Sequence, residues 1–341
     1  MGEGGGQLLR YSIALSALTG EPIQVYNIRA KRSNPGLRPQ HMTAIKLIAK
    51  MVDADVRGLK VGSMSVTFIP KSKVRGGRYE LNIGTAGSIS LVLQATLPAA
   101  IFATDTVHLK LVGGTAVKWS PPIQYLQHVL RPLLRKFGVN FDILVLRHGF
   151  YPRGGGLVEV TVNPVKVLRN ASFPEWSVIK EIGGTSYCAN LPEHVAIRQR
   201  MAAESLLKAR GFNVRKITVE TKVPALDKGS CIVLWAVTNT GILGSDALGE
   251  RGKPAEVVGR EAADKLIKEL NTKAGVDKHA LDNLLIYASL AMGESVITSS
   301  ELTSHAATVI ELCKLTIGSK FNVMRVENRV KVTCRGAGLT P

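Results

Sequence analysis

Apolar residues in the first half of the chain switch between helical and extended spacing, and each switch predicts an element. Residues 7–19 (QLLRYSIALSALT) carry their leucines near one helical face. A strand is predicted over 23–28, and a helix over 39–53 opens on Pro39, whose fixed φ suits a first helical turn. The same reasoning predicts a strand around 64–68, a strand between the RGG and GTAGS turns, an apolar helix over 88–102, a strand over 107–114, a helix over 121–137, and strands over 140–147 and 156–163.

A second pattern begins near residue 180 and indicates a small α/β unit. Its predicted elements are a helix over 192–210, strands over 213–221 and 231–239, and a long helix over 254–270. Beyond it, the predicted elements are helices over 278–293 and 303–313 and a hairpin over 320–334. One domain interrupted by another explains this order best. We therefore expect a main domain of residues 1–179 plus 273–341 and an inserted domain of residues 180–272.

The charge balance favours a polyanionic partner. The 341 residues include 44 Lys+Arg against 26 Asp+Glu, a formal net charge of +18, and neutralising phosphates releases condensed counterions. A basic proteome or a solubility device would give the same excess. Aromatic residues make up only 5%, which argues against a single-strand binder built on many stacking platforms. An enzyme that handles a nucleic-acid end fits the composition at least as well.

Cysteine spacing and hydropathy indicate a reduced, cytoplasmic setting. The four cysteines lie far apart without a CxxC pair, which predicts neither a zinc knuckle nor a disulfide framework. No apolar run approaches the length that crosses a bilayer, and the N-terminus lacks the pattern of a secretory signal. We expect a cytoplasmic protein with no membrane partner.

Three glycine-rich turns are candidate anion sites: GEGGGQ (2–7), GTAGS (84–88) and RHGFYPRGGG (147–156). Successive backbone N–H groups at a helix N-terminus bind phosphate, and glycine removes the Cβ that would hold it away. Neither common nucleotide fingerprint, GxxxxGK[ST] or GxGxxG, is present. Glu3 is the only acid in its loop, so it is a candidate ligand for the magnesium of a triphosphate. The alternative is a solvated N-terminal glutamate.

A basic loop and one histidine complete the candidates that follow from the residues themselves. Arginines grip phosphate oxygens in a bidentate fork, and the stretch 27–41 places several of them between a strand and a helix. His305 lies in the first turn of a predicted helix, where the helix dipole favours the neutral, nucleophilic imidazole. A capping or packing role for His305 is the competing interpretation. The basic loop contributes Arg29, Lys31, Arg32 and Arg38 and ends in His41.

A series of motifs carries a resemblance to a known family. In order they are GEGGGQLLR, NIRAKRSNPGLRPQH, GTAGSISLVLQ, WSPP, HGFYPRGGG and HALDNLL followed by TSH. This series resembles the archaeal-type RNA 3′-terminal phosphate cyclases nearly end to end. The resemblance implies an α+β fold of three βαβαββ units, similar to the C-terminal domain of bacterial translation initiation factor three, with a smaller inserted domain.

The resemblance also implies a reaction and its site. ATP, with Mg2+ or Mn2+, adenylates a histidine; AMP then passes to an RNA 3′-phosphate, and the 2′-hydroxyl closes a 2′,3′-cyclic phosphate. By position His305 matches the adenylated nucleophile and Glu3 the metal-binding glutamate. The residues matched to RNA or phosphate contacts are Arg29, Arg32, Arg38 and His41. Those matched to the nucleotide site are Arg10, Gln94, Pro121, His279, Asp282 and Asn283.

The chain departs from the family pattern at several points, and a second function is consistent with those departures. It lacks the short strand that usually precedes the glycine loop, and Ala116 stands where an acid is expected. Asn283 replaces a glutamine, and His279 stands where some members have an aromatic ring on adenine. The alternative is a non-catalytic cyclase-like factor in ribosomal RNA processing; a different transferase on the same architecture is a third reading. The sequence leaves homodimerisation open.

Overall fold

Helices and strands alternate along residues 5–340, the part of the chain that the computed structural model describes. The helices are α1 (Gly6–Thr19), α2 (Pro39–Val52), α3 (Ile89–Ala100), α4 (Ile123–Tyr125), a π segment (Leu126–Leu130), α5 (Arg131–Arg135), α6 (His194–Ala209), α7 (Ala255–Asn271), α8 (Lys278–Leu290) and α9 (Ser304–Ile317). The strands are β1 (Ile23–Val25), β2 (Asp55–Arg57), β3 (Val66–Ile69), β4 (Gly77–Asn82), β5 (Val107–Gly113), β6 (Asn140–Arg147), β7 (Gly156–Asn163), β8 (Ser172–Phe173), β9 (Ile179–Ala189), β10 (Lys216–Glu220), β11 (Gly229–Thr238), β12 (Ile242–Leu248), β13 (Glu294–Ser299), β14 (Lys320–Val326) and β15 (Arg329–Arg335).

Four sheets organise the described residues, and none of them closes into a barrel. Their strand orders are β1-β3-β2, β4-β5-β7-β6, β14-β15-β13-β8 and β10-β9-β11-β12. The first sheet is antiparallel throughout, whereas each of the others contains one parallel pair. The described chain is therefore a mixed α+β protein, as the sequence predicts.

Side-chain caps fix where the helices that matter for the site begin. Ser88 precedes α3 and accepts from Leu91 N at 3.1 Å, while Asp277 precedes α8 and accepts from His279 N and Ala280 N. Thr303 precedes α9 and accepts from Ala306 N at 3.0 Å. Each cap satisfies amide donors that the first helical turn leaves unpaired. The N-termini of α8 and α9 are thus held at defined positions.

The core has two parts. The larger cluster includes buried residues of α1, α2, α3, α8 and α9 together with their sheets. A second cluster lies between one face of the β9–β12 sheet and helices α6 and α7, and includes Ile232, Leu234 and Leu266. Tyr187 and Val233 belong to the larger cluster. The β9–β12 sheet therefore packs its own helices on one face and the rest of the molecule on the other.

The helices predicted from apolar spacing are present in the structure, which also contains several strands that the sequence does not predict. The predicted strand over 23–28 ends at Val25, because Asn27 and Arg29 adopt left-handed φ angles of 55° and 53° that extended backbone does not allow. The strands not predicted are β2, β8, β9, β12 and β13. No helix within residues 5–340 is long and apolar enough to cross a membrane. The domain boundaries at 180 and 272 stay a prediction.

Candidate active site

The glycine loop at the start of α1 lies against the N-termini of two other helices. A Cβ placed on Gly5 would lie 4.0 Å from Cε1 of His305, which is exposed as the second residue of α9. A Cβ on Gly6 would lie 2.5 Å from Nε2 of His41 and 3.2 Å from Nη1 of Arg10. The fold thus brings three widely separated parts of the sequence prediction to one place: the glycine loop with Arg10, His41 and His305.

His41 is a buried, neutral imidazole in this group. Its Nδ1 accepts the backbone N–H of Arg38 at 3.2 Å, so the proton of the neutral ring is on Nε2, the nitrogen that faces Gly6. Burial, together with the charges of Arg10, Arg29 and Arg38, lowers its pKa to about 3. His41 therefore offers an N–H donor to the glycine loop at any physiological pH.

Arg10 and Arg29, two arginines near His41, differ in their hydrogen bonds. Arg29 donates through Nη1 to the carbonyls of Asn34 at 2.6 Å and Gly36 at 3.2 Å, so it fixes its own loop. The Nε of Arg10 is buried and has no hydrogen-bond partner within residues 5–340. Burial lowers the pKa of Arg10 to about 10, which leaves it cationic at neutral pH. The arrangement is a concentration of positive charge suited to an anion.

Gly6→Ala tests the close approach of the loop to His41. The new methyl group would overlap the imidazole, whose ring is buried and cannot yield freely. Because small displacements of positioning groups are costly, we expect self-adenylation to fall about 10²-fold, as measured by incorporation of labelled AMP. Gly5→Ala is the graded control, since its methyl would make ordinary contact at 4.0 Å. Equal activity of the two variants would contradict the assigned role of Gly6.

The N-terminus of α9 is tied to α8 through one threonine. Thr303 Oγ1 donates to Oδ1 of Asp282 while it accepts from Ala306 N. Asp282 is 5% exposed, and burial raises the pKa of its carboxyl group to about 7 although the Thr303 bond acts in the opposite direction. Oδ2 of Asp282 lies 4.0 Å from Nδ1 of the exposed His279. Asp282 therefore acts on the helix turn that carries His305.

Helix α1 is also fixed to α8, so the glycine loop and α9 share one support. Gln7 Nε2 donates to the backbone carbonyl of Asp282 at 3.2 Å, and Tyr11 Oη donates to Oδ1 of Asn283 at 3.4 Å. Asn283 Nδ2 in turn donates to the carbonyl of His279 at 2.6 Å. Gln7 and Tyr11 are functional neighbours that sequence reasoning did not single out.

Asp277 is a further residue that the sequence analysis missed. Its carboxylate accepts from Tyr125 Oη at 2.8 and 2.9 Å and from Gly244 N at 2.9 Å, besides capping α8. It thereby joins α4, β12 and the helix that carries His279. An aspartate directly before a helical run is a recognised start signal, so the cap was predictable, but its distant partners were not.

Gln94 and Pro121 are less closely joined to this group than the other predicted residues. Arg32 is exposed in the basic loop, and its charge acts on Arg29. Gln94 is buried on α3, which packs against α1 and α2. Pro121 precedes α4. Across the part of the chain that is described, no hydrogen bond links Gln94 or Pro121 to the other predicted site residues.

Thr303→Val tests the link between α8 and α9. It removes the cap of Ala306 and the donor to Asp282, so we expect a loss of about 1–3 kcal/mol in unfolding free energy. The pKa of Asp282 would rise further, and the fold would then bind its proton at higher pH; the loss should be larger near about pH 8 than near about pH 5. Thermal melts at both pH values measure this. Thr303→Ser keeps the hydroxyl and should resemble the parent; an equal loss in both variants would refute the assignment.

The glycines of the other two turns are explained by backbone packing. Gly154 has a left-handed φ of 72°, and a Cβ there would lie 2.7 Å from Cα of Ala86 in the GTAGS turn. Arg153 Nε donates to Oδ1 of Asp227 at 2.9 Å, which attaches HGFYPRGGG to the residues that precede β11. These two turns form a junction between sheets.

The described residues do not fit a metal by themselves. Within residues 5–340 no three histidine, cysteine or carboxylate side chains form a group that could hold an ion, and the surroundings of His41 are cationic. The predicted ligand Glu3 lies outside the described residues.

Comparisons with known proteins show the family. A family model described as RNA 3′-terminal phosphate cyclase matches residues 1–323. Curated proteins named RNA 3′-terminal phosphate cyclase are similar over nearly the whole chain. The one from Hyperthermus butylicus is 47% identical and covers 98% of this chain and 97% of that protein. Those from Ignicoccus hospitalis and Pyrococcus furiosus are 49% and 48% identical, covering 92% and 94% of this chain and 90% and 93% of theirs.

One solved structure is a remote likeness. The enolpyruvyl transferase NikO from Streptomyces tendae aligns with a TM-score of 0.41 at 10% identity. The alignment covers 99% of this chain but only 49% of the NikO chain. A score at this level establishes neither a common fold nor a common activity. The family model and the curated relatives agree with each other, and the chain belongs to the RNA 3′-terminal phosphate cyclases, a family of enzymes.

Proposed function

We propose that this protein uses ATP to convert an RNA 3′-phosphate into a 2′,3′-cyclic phosphate, with His305 as the nucleophile. The observation that carries the proposal is the contact of the glycine loop with His305 on one side and with His41 and Arg10 on the other. A nucleophile beside a site of surplus positive charge is what transfer of a nucleotidyl group from a triphosphate requires.

The reaction has three displacements. In the first, an imidazole nitrogen of His305 attacks the α-phosphorus of ATP; a P–N bond forms, the bond to the bridging oxygen breaks and pyrophosphate leaves. In the second, an oxygen of the RNA 3′-phosphate attacks the phosphorus of AMP, and the neutral imidazole is released. In the third, the 2′-hydroxyl loses its proton and attacks the RNA phosphorus, which expels AMP. Covalent catalysis divides one difficult activation into easier steps.

The residues of the site take complementary parts in this proposal. Arg10 and the Nε2–H of His41 bind phosphate oxygens at the glycine loop, and Arg29, Arg32 and Arg38 bind the RNA phosphate. Asp282 and Thr303 position the turn of α9 that carries His305. Gln94, Pro121, His279 and Asn283 belong to the nucleoside side. Glu3 with Mg2+ or Mn2+ would neutralise triphosphate charge, in keeping with the preference of these ions for carboxylate and phosphate oxygens.

The experiment that tests the function has two arms. The protein is incubated with α-labelled ATP and Mg2+ without RNA, and acid-labile label on the chain is the expected result. A 3′-phosphorylated oligoribonucleotide is then added, and its end should become resistant to phosphatase as AMP is released. Absence of both signals in the parent protein would reject the enzyme and favour the non-catalytic RNA-processing factor.

We also propose that the main domain consists of three βαβαββ units, as in initiation factor three, and that residues 180–272 are inserted into the third. Two of the sheets support this. The sheet of β4, β5, β7 and β6 and the sheet of β8, β13, β15 and β14 have the same strand order, and in each the first two strands are parallel and the other pairs are antiparallel. The separate core of α6, α7 and their sheet supports the insertion. ATP and processed RNA are both available in the cytoplasm, where we propose that the protein acts.

A further inference from the structure

Trp119 is much more exposed to solvent than the other two tryptophans of the chain. It is 95% exposed, whereas Trp235 is partly covered and stacks on His128 with ring centroids 4.4 Å apart. Its φ of 62° is in the left-handed region, which is unfavourable for a bulky side chain. Strained backbone persists where the surroundings enforce it, and such positions cluster at functional sites.

The loop that carries Trp119 is held at both ends. Thr115 N donates to the carbonyl of Gly149 at 2.8 Å, and Ile123 N donates back to the carbonyl of Thr115 at 2.8 Å. Ser120 Oγ donates to the carbonyl of Val117 at 3.1 Å inside the loop. Two prolines follow Ser120 and limit the freedom of the exit. The indole is therefore presented by a fixed loop.

The loop borders the proposed nucleoside side of the site. Helix α4 follows it directly, and Tyr125 of that helix donates to Asp277, the cap of the helix that carries His279. On its other side Lys118 pairs with Glu250 at 2.6 Å, beyond the end of β12. The loop that carries Trp119 is thus linked to the start of α8 through Tyr125 and to the residues after β12 through Lys118.

We propose that Trp119 stacks on an unpaired base of the RNA substrate near its 3′ end, an inference that rests on the proposed function. Single-stranded RNA is commonly recognised by exposed aromatic rings, since every base has a π face. The adenine of ATP is a less suitable occupant, because small-ligand sites are concave and cover most of the ligand, whereas this ring is 95% exposed. Trp119 is a positioning residue for the RNA end.

The test compares Trp119→Ala and Trp119→Phe with the parent protein. With a 3′-phosphorylated oligoribonucleotide, the alanine variant should raise the KM for RNA about tenfold and the phenylalanine variant about twofold, because an aromatic ring is retained. The KM for ATP and the kcat should stay at parent values. An oligonucleotide with abasic sites at its last two positions should bind the parent and Trp119→Ala equally. Tryptophan fluorescence should be quenched by the intact oligonucleotide in the parent and much less in Trp119→Phe.

Three results would overturn the proposal. The first is an unchanged KM for RNA in Trp119→Ala. The second is a raised KM for ATP alone, which would assign the ring to adenine. The third is a changed oligomeric state with normal RNA binding, which would assign it to a protein contact. Quenching by RNA needs no catalysis, so a parent protein that is inactive but quenched would reject the proposed function and retain the stacking.

Discussion

His305→Ala is expected to abolish self-adenylation, with labelling reduced at least about 10³-fold, since no other group replaces a removed covalent nucleophile. His305 is exposed in the first turn of α9, next to the glycine loop. Its replacement leaves the Thr303 cap and the buried residues of α9 in place, so the variant should remain folded. The measurement is acid-labile label from α-labelled ATP, followed by cyclisation of a 3′-phosphorylated oligonucleotide.

A matched control is available at the start of α6. His194 is exposed as the first residue of α6, so His194→Ala removes an imidazole from a similar helix position. It should label at the parent rate. Label that persists on His305→Ala at the parent level would mean that another residue is the nucleophile, and the proposed mechanism would then be wrong.

Local structure was largely predictable because it depends on neighbours in the sequence. Helices α2 and α7 have clear apolar spacing, and the caps Ser88 and Thr303 mark the starts of α3 and α9 by residue type. The missed strands lack this kind of signal. Strand β9 contains two consecutive glycines, and β13 is short and rich in polar residues that are buried between neighbours. Their pairing comes from the tertiary fold, which overrides local propensity.

The residues of the site were easier to predict from the sequence than the contacts between them. The family resemblance named His305, Asp282 and Arg10, but the bond that joins Gln7 to Asp282 spans 275 positions. Thr303 is of a residue type that commonly caps a helix, whereas its second bond to Asp282 depends on how α8 and α9 pack. No spacing rule specifies such pairs, since they arise only when helices from distant segments come together. The family resemblance identifies candidate site residues, and the distances in the structure show which of those residues contact one another.

Arg10→Gln should separate catalysis from stability. The Nε of Arg10 is buried without a partner in the described chain, and burial lowers its pKa to about 10. Desolvating a guanidinium is costly to the fold, and burial lowers the pKa of Arg10 for this reason, so its removal should leave Tm unchanged or raise it. The same cation should contribute strongly to holding a triphosphate, and we expect self-adenylation to fall about 10²-fold. Arg10→Lys should recover little, since an ammonium group lacks the bidentate fork.

A direct binding measurement completes this prediction. Inorganic triphosphate should raise the Tm of the parent protein, because a ligand that binds only the folded state stabilises it by mass action, and it should leave Arg10→Gln almost unshifted. Arg198→Gln is the matched control, since Arg198 is an exposed arginine already paired with Glu256 at 2.5 Å. Its shift should equal that of the parent. If Arg10→Gln instead lowers Tm and binds triphosphate normally, Arg10 supports the fold, and the positive charge at the glycine loop has another purpose. The two outcomes differ in the sign of the stability change, so one set of melts distinguishes an anion site from a structural arginine.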